Sequence, residues 1–376
     1  MKEIIRIVEV STRKQRHQFV QFPLKLYKNN QYFVPPIYMD EIALFKKSNI
    51  NNLACDQVFY LAYVGKMVVG RIQGIIQRQY NELNNAKQAR FSRFDCIDDQ
   101  TVANALFEAA EKWAKEKGCN EIIGPMGYND LEREGLLIEG FDYLSTYEEQ
   151  YNYPYYQRLI EENGYIKDVD WLEYRLFPKF IERERLQKIA NFAKEKLKLH
   201  VVGEHLSKKQ YIKQYGPAIF NVLDECYKEL YGTVPFKEEI RDNIIANFNL
   251  VLNKDYVIAI ADENEELVAF GILLPAIGKT LQKSGGRLTL PTIVKLLKTI
   301  KKPKTLDMAL IGVLPRYRKH GLNAYMLTTL QDLLEKNNIE YMETNLNLET
   351  NVNVQSQWRY FEKIQHKRRR AFIKKI

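Results

Sequence analysis

The sequence predicts an α/β (α+β) fold built as two tandem copies of one domain. Three observations carry that prediction. Apolar runs of strand length alternate with amphipathic helical stretches along the chain. Two hairpin signals, Gly65-Lys66 and Glu263-Asn264, sit at matching places in the two halves. The order strand, helix, hairpin, strand, helix, strand, helix, strand is met once in each half, which points to an internal repeat.

In the first half, "EIIRIVEV" (3–10) alternates as a strand, and Ser11 or Thr12 is placed to cap a helix reaching about Tyr27. Residues 58–77 give two strands around Gly65-Lys66, and "ARFSRFDCI" (89–97) gives a third. In "DDQTVANALFEAAEKWAKEKG" (98–118), Val102, Leu106, Ala109 and Trp113 form one helical face, Asp98 or Asp99 offers a cap and Gly118 ends the helix. The strand "NEIIGPM", a helix over 152–165 with Pro154 in its first turn and Gly164 as its stop, and the strand "WLEYRLF" complete the copy. A charged helix over 180–197 follows. The second half runs from "LHVVGEHL" through helices over about 211–230 and around "FKEEIRDNIIANFNLVL" to the hairpin 255–276. A strand over 306–313, a helix over 322–336, the strand "IEYMETNLNL" (339–348), a helix over about 353–364 and the strand "RRRAFIKKI" end it. The expected domains are therefore 1–177 and 201–376, joined by a connecting helix within 178–200.

The 376 residues suit about two domains, and 45% hydrophobic with 27% charged residues is the balance of a globular chain. No window nears the roughly 18 consecutive apolar residues of a membrane span. Glu3 and Glu9 interrupt the first apolar stretch, which argues against a signal peptide. Cys55, Cys96, Cys119 and Cys226 show no CxxC spacing and no companion histidine cluster. Neither a metal site nor a disulfide framework is expected, and a reducing cytoplasm is.

The net charge of +9 is unevenly spread. Residues 279–304 carry eight Lys/Arg and no acid, and the tail 363–376 carries seven, also with no acid. Such runs attract polyanions or form solvated faces. Within the insert, Leu290, Ile293, Leu296, Leu297 and Ile300 recur at helical spacing, with Lys295, Lys298, Lys301 and Lys302 mostly off that stripe. Two core strands bracket the segment, which favours a helix docked on the domain, lysines outward, over one lying on an anionic membrane.

"LPRYRKHGLNAYML" (314–327) follows the apolar run "LDMALIGV" and opens a helix with leucines at 327, 330, 333 and 334. A strand, a basic glycine-bearing turn and a helix start make an anion cradle. Exposed N–H groups and the helix dipole attract phosphate, and glycine lets the main chain come close. The donors here are the N–H groups of about Arg318 to Asn323, with Arg316, Arg318 and Lys319 adding positive charge. Val313, Pro315, Tyr317, Arg318 and Gly321 stand in the pattern V-x-P-x-Y-R-x-x-G-x-G/A. With this pattern at this point of the element order, the chain resembles the GNAT acyltransferase superfamily. Asn323 departs from the pattern, where the family has Gly or Ala.

The resemblance implies, for each copy, a mixed, mostly antiparallel twisted sheet flanked by helices. It implies direct acyl transfer, in a ternary complex, from acetyl-CoA or another acyl-CoA to a small-molecule or peptide amine, without a metal. It assigns cofactor binding to Ile311, Val313, Arg316, Arg318, Lys319, His320, Gly321, Leu322 and Asn323. The main chain of Ile311 to Val313 pairs with the pantetheine arm, the Val313 N–H serves the developing oxyanion, and the turn takes the pyrophosphate. Transfer also needs a general base and a route for protons. Glu343, on "YMETN", and Asp307 are the candidate carboxylates. The family's proton-donating tyrosine falls on Phe361 or, one residue off, on Tyr360, to which the role is carried; Gln365-His366 replace the family's Gly-Phe.

The first copy lacks the turn. "DCIDDQTV" is acidic and free of glycine, and carboxylates at that helix start would repel a pyrophosphate. This copy is read as a GNAT fold without a CoA site, its final-helix pattern loosely kept by Asn152, Tyr155 or Tyr156, Leu159, Asn163, Gly164 and Tyr165. The loop 124–156, rich in glycine, aromatic and acidic residues, either builds a substrate site or packs irregularly. Two other readings stay open: a Fem-type aminoacyl transferase that uses charged tRNA, which the basic insert and tail would suit, and a GNAT-fold protein that binds acyl-CoA without turnover. The expected partners are acyl-CoA and an amine, with nucleic acid not favoured.

Overall fold

The computed structural model describes residues 4–376, apart from the side chains of Phe248 and Leu250; Glu3, at the start of the first expected strand, lies outside them. The order is β1 (Ile5–Glu9), α1 (Arg13–Leu26), α2 (Tyr38–Ala43), β2 (Cys55–Val64), β3 (Met67–Gln77), α3 (Arg78–Asn84), β4 (Gln88–Cys96), α4 (Gln100–Glu116), β5 (Glu121–Gly124), β6 (Leu136–Glu139) and α5 (Tyr155–Glu161). It continues with β7 (Ile166–Phe180), α6 (Arg183–Lys196), β8 (His200–Val201), α7 (Lys208–Tyr227), α8 (Glu238–Val251), β9 (Val257–Ala261), β10 (Leu267–Pro275), α9 (Gly278–Ser284) and α10 (Leu290–Lys301). Then come β11 (Thr305–Val313), α11 (Leu322–Lys336), β12 (Tyr341–Thr344), β13 (Asn347–Leu348), α12 (Val352–Gln355) and β14 (Phe361–Lys375).

Two units result. The first holds residues 4–171, 278–293 and 367–376, and the second 172–277 and 294–366. In the first, β1, β2, β3 and β4 pair antiparallel in turn, β5 runs parallel to β4, and β14 pairs antiparallel with β5. In the second, β8, β9, β10 and β11 pair antiparallel in turn, β12 runs parallel to β11, and β7 pairs antiparallel with β12. The two patterns are the same, so the repeat read from the sequence is a repeat of sheet topology. Each copy takes its last strand from the other half of the chain. Residues 172–177, expected with the first domain, therefore lie in the second unit, and 367–376 in the first.

Local chemistry explains the element ends. Thr12, not Ser11, caps α1, in a capping box with Gln15. Asp99 caps α4, which buries Val102, Leu106, Phe107 and Ala110 in the core of the first unit with Phe91 and Phe94. Phe107 stacks edge-on against Phe91, with ring centroids 5.2 Å apart. All four cysteines are free thiols, three of them buried. Among the described residues no helix is long and apolar enough to cross a membrane.

Three expectations fail. The helix expected over about 353–364 ends in a short 3-10 segment at Tyr360, and β14 begins at Phe361. The basic tail is not an open polyanion patch, because carboxylates of the first unit neutralise much of it. Arg368 and Arg370 meet Asp170, Arg369 meets Glu149, Lys374 meets Glu111 and Lys375 meets Glu121. The docked stripe of the basic insert also fails. Leu296 is buried, but Leu290, Ile293 and Leu297 are exposed.

Candidate functional site

The site begins where β11 parts from its neighbour. β11 pairs with β10 from Leu306 to Val313, with Ala309 bulged out between Met308 and Leu310. On its other edge it pairs with β12 only from Thr305 to Met308. Asn345 closes that ladder, its N–H donating to Met308 O (3.1 Å) and its Nδ2 to Ala309 O (3.2 Å). From Leu310 onward no strand of the described residues lies on this edge. Ile311 and Val313 turn their main-chain polar groups to it, and side chains satisfy them.

Those side chains come from the last turn of α7 and from the turn after β11. The Tyr227 hydroxyl lies 3.1 Å from Ile311 O and 3.4 Å from Ile311 N. The Cys226 thiol accepts from the Val313 N–H; burial pushes its pKa up, opposed by nearby Arg318 and by that N–H. Arg318 Nε donates to Val313 O at 3.0 Å. Gly312 lies between, and a Cβ there would come within 2.6 Å of the Phe270 ring.

The basic turn is a 3-10 turn over Pro315–Tyr317, with the Tyr317 hydroxyl donating to Asp262 Oδ2 at 2.8 Å. Arg316 is ion-paired with Glu266 at the surface, while Arg318, Lys319 and His320 are exposed. Gly321 takes φ +84° and opens α11 with no side chain of the described residues capping it. A Cβ on Gly321 would sit 3.0 Å from that of Ala193 on α6, so glycine serves both the left-handed backbone and a close helix approach. Ala324 and Tyr325 donate their N–H groups to Gly321 O, at 3.0 and 3.2 Å, while those of Leu322 and Asn323 have no intrahelical acceptor, which is the requirement for an anion site. Leu322 is buried beneath them. The Asn323 amide oxygen is buried without a hydrogen-bond partner among the described residues; the same amide turned over presents its NH₂ as a donor instead.

Beside the bulge lies a buried charged cluster. Asp307 and Glu343 are directly opposite each other in the parallel register, 7% and 5% exposed. Glu343 Oε1 accepts from Arg175 Nη2 at 2.6 Å, and Glu343 Oε2 lies 3.0 Å from His366 Nε2. His366 Nδ1 lies 3.1 Å from the carbonyl oxygen of Glu173. A carbonyl only accepts, so Nδ1 carries a hydrogen, and a further proton is held between Nε2 and the Glu343 carboxylate. Carboxylate and imidazole atoms of Glu173, Glu343 and His366 fall within 4.8 Å of one another, close enough to share a cation. The Arg175 guanidinium already brings a positive charge to the same carboxylate. Tyr360 is half-buried and accepts from Arg359 at 2.8 Å; among the described residues it bonds none of the Glu343 cluster.

The sequence profile of the Acetyltransferase (GNAT) family matches residues 216–366, which span β11, the turn, α11, Glu343 and His366. A tandem GNAT protein from the clavulanic acid biosynthesis pathway, solved without AcCoA, aligns over 99% of this chain and 98% of its own at a TM-score of 0.55 and 12% identity. The chain shares the fold of that tandem protein over its whole length, and residues 216–366 are similar to the GNAT family. A GCN5-related N-acetyltransferase from Sphaerobacter thermophilus shares the fold at a TM-score of 0.51, 8% identity, covering 99% and 95% of the two chains. By sequence, the chain is 26% identical to Protein YghO of Escherichia coli over 95% of this chain and 92% of that one. It is 24% identical to a bacterial ceramide synthase of Caulobacter vibrioides over 83% and 81%.

The two copies differ at the matching place. At the start of α4, Asp99 caps the helix and Asp98 is paired with Arg158, where α11 offers uncapped N–H groups. In β4, Arg93 adopts φ +46° and its guanidinium grips Glu41 with Nε–Oε2 at 3.1 Å and Nη2–Oε1 at 3.0 Å. Arg71 bonds Asp95 nearby, leaving a cavity of about 20 Å³ lined by Glu41, Arg71, Arg93, Asp95 and Arg133. That is room for about one water.

Sequence reasoning named β11, the turn and Glu343 in this unit but not five of their neighbours. His366 was visible only as a departure from Gly-Phe. Glu173 and Arg175 left a signal, two charges on one face of the apolar strand "WLEYRLF". Cys226 and Tyr227 left none, because only the packing of α7 brings them to β11.

Proposed function

We propose that the second unit is an acyl-CoA-dependent N-acyltransferase and that the first unit binds no CoA. The observation that carries this reading is the open edge of β11, which ends at the uncapped start of α11 with the Glu343–His366 pair beside its bulge. The residues fit the co-substrate: the Ile311 and Val313 main chain can pair with an extended amide-bearing arm once Tyr227, Cys226 and Arg318 yield, and Gly321, Leu322 and Asn323 can donate to phosphate. The amine nitrogen attacks the thioester carbon, so a C–N bond forms and the C–S bond breaks. The Val313 N–H supports the carbonyl oxygen as it gains charge. The proton of the Glu343–His366 pair goes to the departing sulfur and the amine's proton replaces it, leaving the pair unchanged after a turnover. Arg175 holds the Glu343 carboxylate in place.

The likeness to a protein named a bacterial ceramide synthase supports a long-chain amino alcohol as acceptor, since a ceramide is the amide of such a base with a fatty acid. The test is release of CoA thiol, with product mass, for acetyl- and palmitoyl-CoA against a panel of small amines, sphinganine and charged tRNA. Amide product from an acyl-CoA is expected. Acyl-CoA binding without thiol release from any acceptor, or product only from charged tRNA, overturns the reading.

A further inference from the structure

Helix α10 carries an apolar face that none of the described residues covers. Leu290, Ile293, Val294 and Leu297 are 81%, 37%, 52% and 57% exposed. Their spacing, i, i+3, i+4 and i+7, confines them to an arc of about 100° on one continuous helix. The opposite side holds Thr292 and Leu296, 6% and 5% exposed, which anchor the helix to the fold. Asn253 Nδ2 fixes its last turn by donating to Ile300 O at 3.1 Å. The stripe is therefore held outward by the packing of the other face.

The charge on the segment that carries the stripe is of one sign. Lys295, Lys298, Lys301 and Lys302 are all exposed, and no Asp or Glu occurs from residue 267 to 306. Lys295, Lys298 and Lys302 flank one side of the stripe and Lys301 continues its line. An apolar strip bordered by lysines, on a helix too short to span, matches the acyl–headgroup boundary of an anionic bilayer: the aliphatic side chains enter below the headgroups while the lysines reach the phosphates. A polyanion such as RNA would use the lysines and leave the leucines in water.

We propose that α10 is a membrane-docking face that seats the protein on an anionic lipid surface. The proposal stands on α10 alone and not on the acyl-transfer reading. The experiment is co-sedimentation of the full chain with vesicles of phosphatidylcholine alone and of phosphatidylcholine with an equal share of phosphatidylglycerol. The chain should pellet with the anionic vesicles only. Leu290→Asp/Leu297→Asp should abolish pelleting, and Lys295→Gln/Lys298→Gln should weaken it at least tenfold, with unchanged circular dichroism since all four positions are exposed. Absence of pelleting with anionic vesicles overturns the proposal. So does pelleting that survives the leucine changes, or a dimer in sedimentation velocity that Leu297→Asp dissociates while vesicles are ignored. Lysine-dependent retention on RNA that is indifferent to the leucines, without vesicle binding, overturns it as well.

Discussion

The hydroxyl of Tyr227 stands 3.1 Å from the carbonyl oxygen of Ile311 and 3.4 Å from its amide nitrogen, on the edge where the co-substrate's arm is proposed to pair. On that proposal the protein competes with its own ligand. Tyr227→Phe removes the competing hydroxyl and keeps the ring. A hydrogen bond of ordinary net strength, about 0.5–1.5 kcal/mol, corresponds to about two- to tenfold in affinity. CoA binding by calorimetry should tighten by that factor; weaker binding would mean that Tyr227 contacts the ligand instead of blocking it.

Glu343→Gln and His366→Asn each interrupt the proton-holding pair while keeping a polar side chain of similar size. Each should lower kcat by about 10²-fold or more, with CoA affinity changed by less than a factor of three. Both should also lower stability, because each removes a buried partner of a charged group. A chelator should leave turnover intact, and metal-dependent turnover would instead assign the Glu173, Glu343 and His366 cluster to a cation.

A carboxylate at Gly321 does not isolate charge, because any side chain there meets φ +84° and the Cβ of Ala193. Asn323→Asp does. It keeps shape and places a negative charge in the first turn of α11, where it should stabilise the free helix slightly and weaken CoA binding by tenfold or more. Equal affinity of variant and parent would move the phosphate site elsewhere.

Burial pushes the Glu148 carboxyl up to about 7, with Arg133 opposing that shift. A carboxyl whose pKa is raised on folding costs stability progressively as the pH rises from its unfolded value near 4.5 to the raised one, in full above that, and nothing well below 4.5. Glu148→Gln should therefore stabilise the protein at pH 8 by about 1–3 kcal/mol, the residue being only half-buried, and leave it nearly unchanged at pH 4.5. Urea unfolding at the two pH values checks this.

Much of the architecture was legible in patterns of short range. The helix over 322–336 is bounded in the structure as its leucines and Gly321 imply, and the turns at Gly65 and Glu263-Asn264 are where the hairpin signals lie. The errors share one cause. "FEKIQHKRRR" has few strand-forming residues, and its first residues were given to a helix. It becomes a strand because distant partners pair with it, Arg369 with Leu137 and Phe372 with Gly124. His366 and Tyr227 were illegible for the same reason: their roles lie in contacts across 23 and 84 residues of sequence. The exposed stripe of α10 was read correctly as a stripe and wrongly as an inner one, since periodicity gives a face but not which way it points.

The strand that completes the first sheet is made last. Residues 367–376 pair with β5 and bury Ala371 and Phe372, yet 195 residues separate them from Trp171. At about 5–20 residues per second, the ribosome takes roughly 10–40 seconds to deliver them. During that interval the nascent first half carries β5 as a bare edge, a surface that recruits stray strands. The order of translation thus sets a period of vulnerability, in which a chaperone, or the emerging second half, has to shield the growing chain.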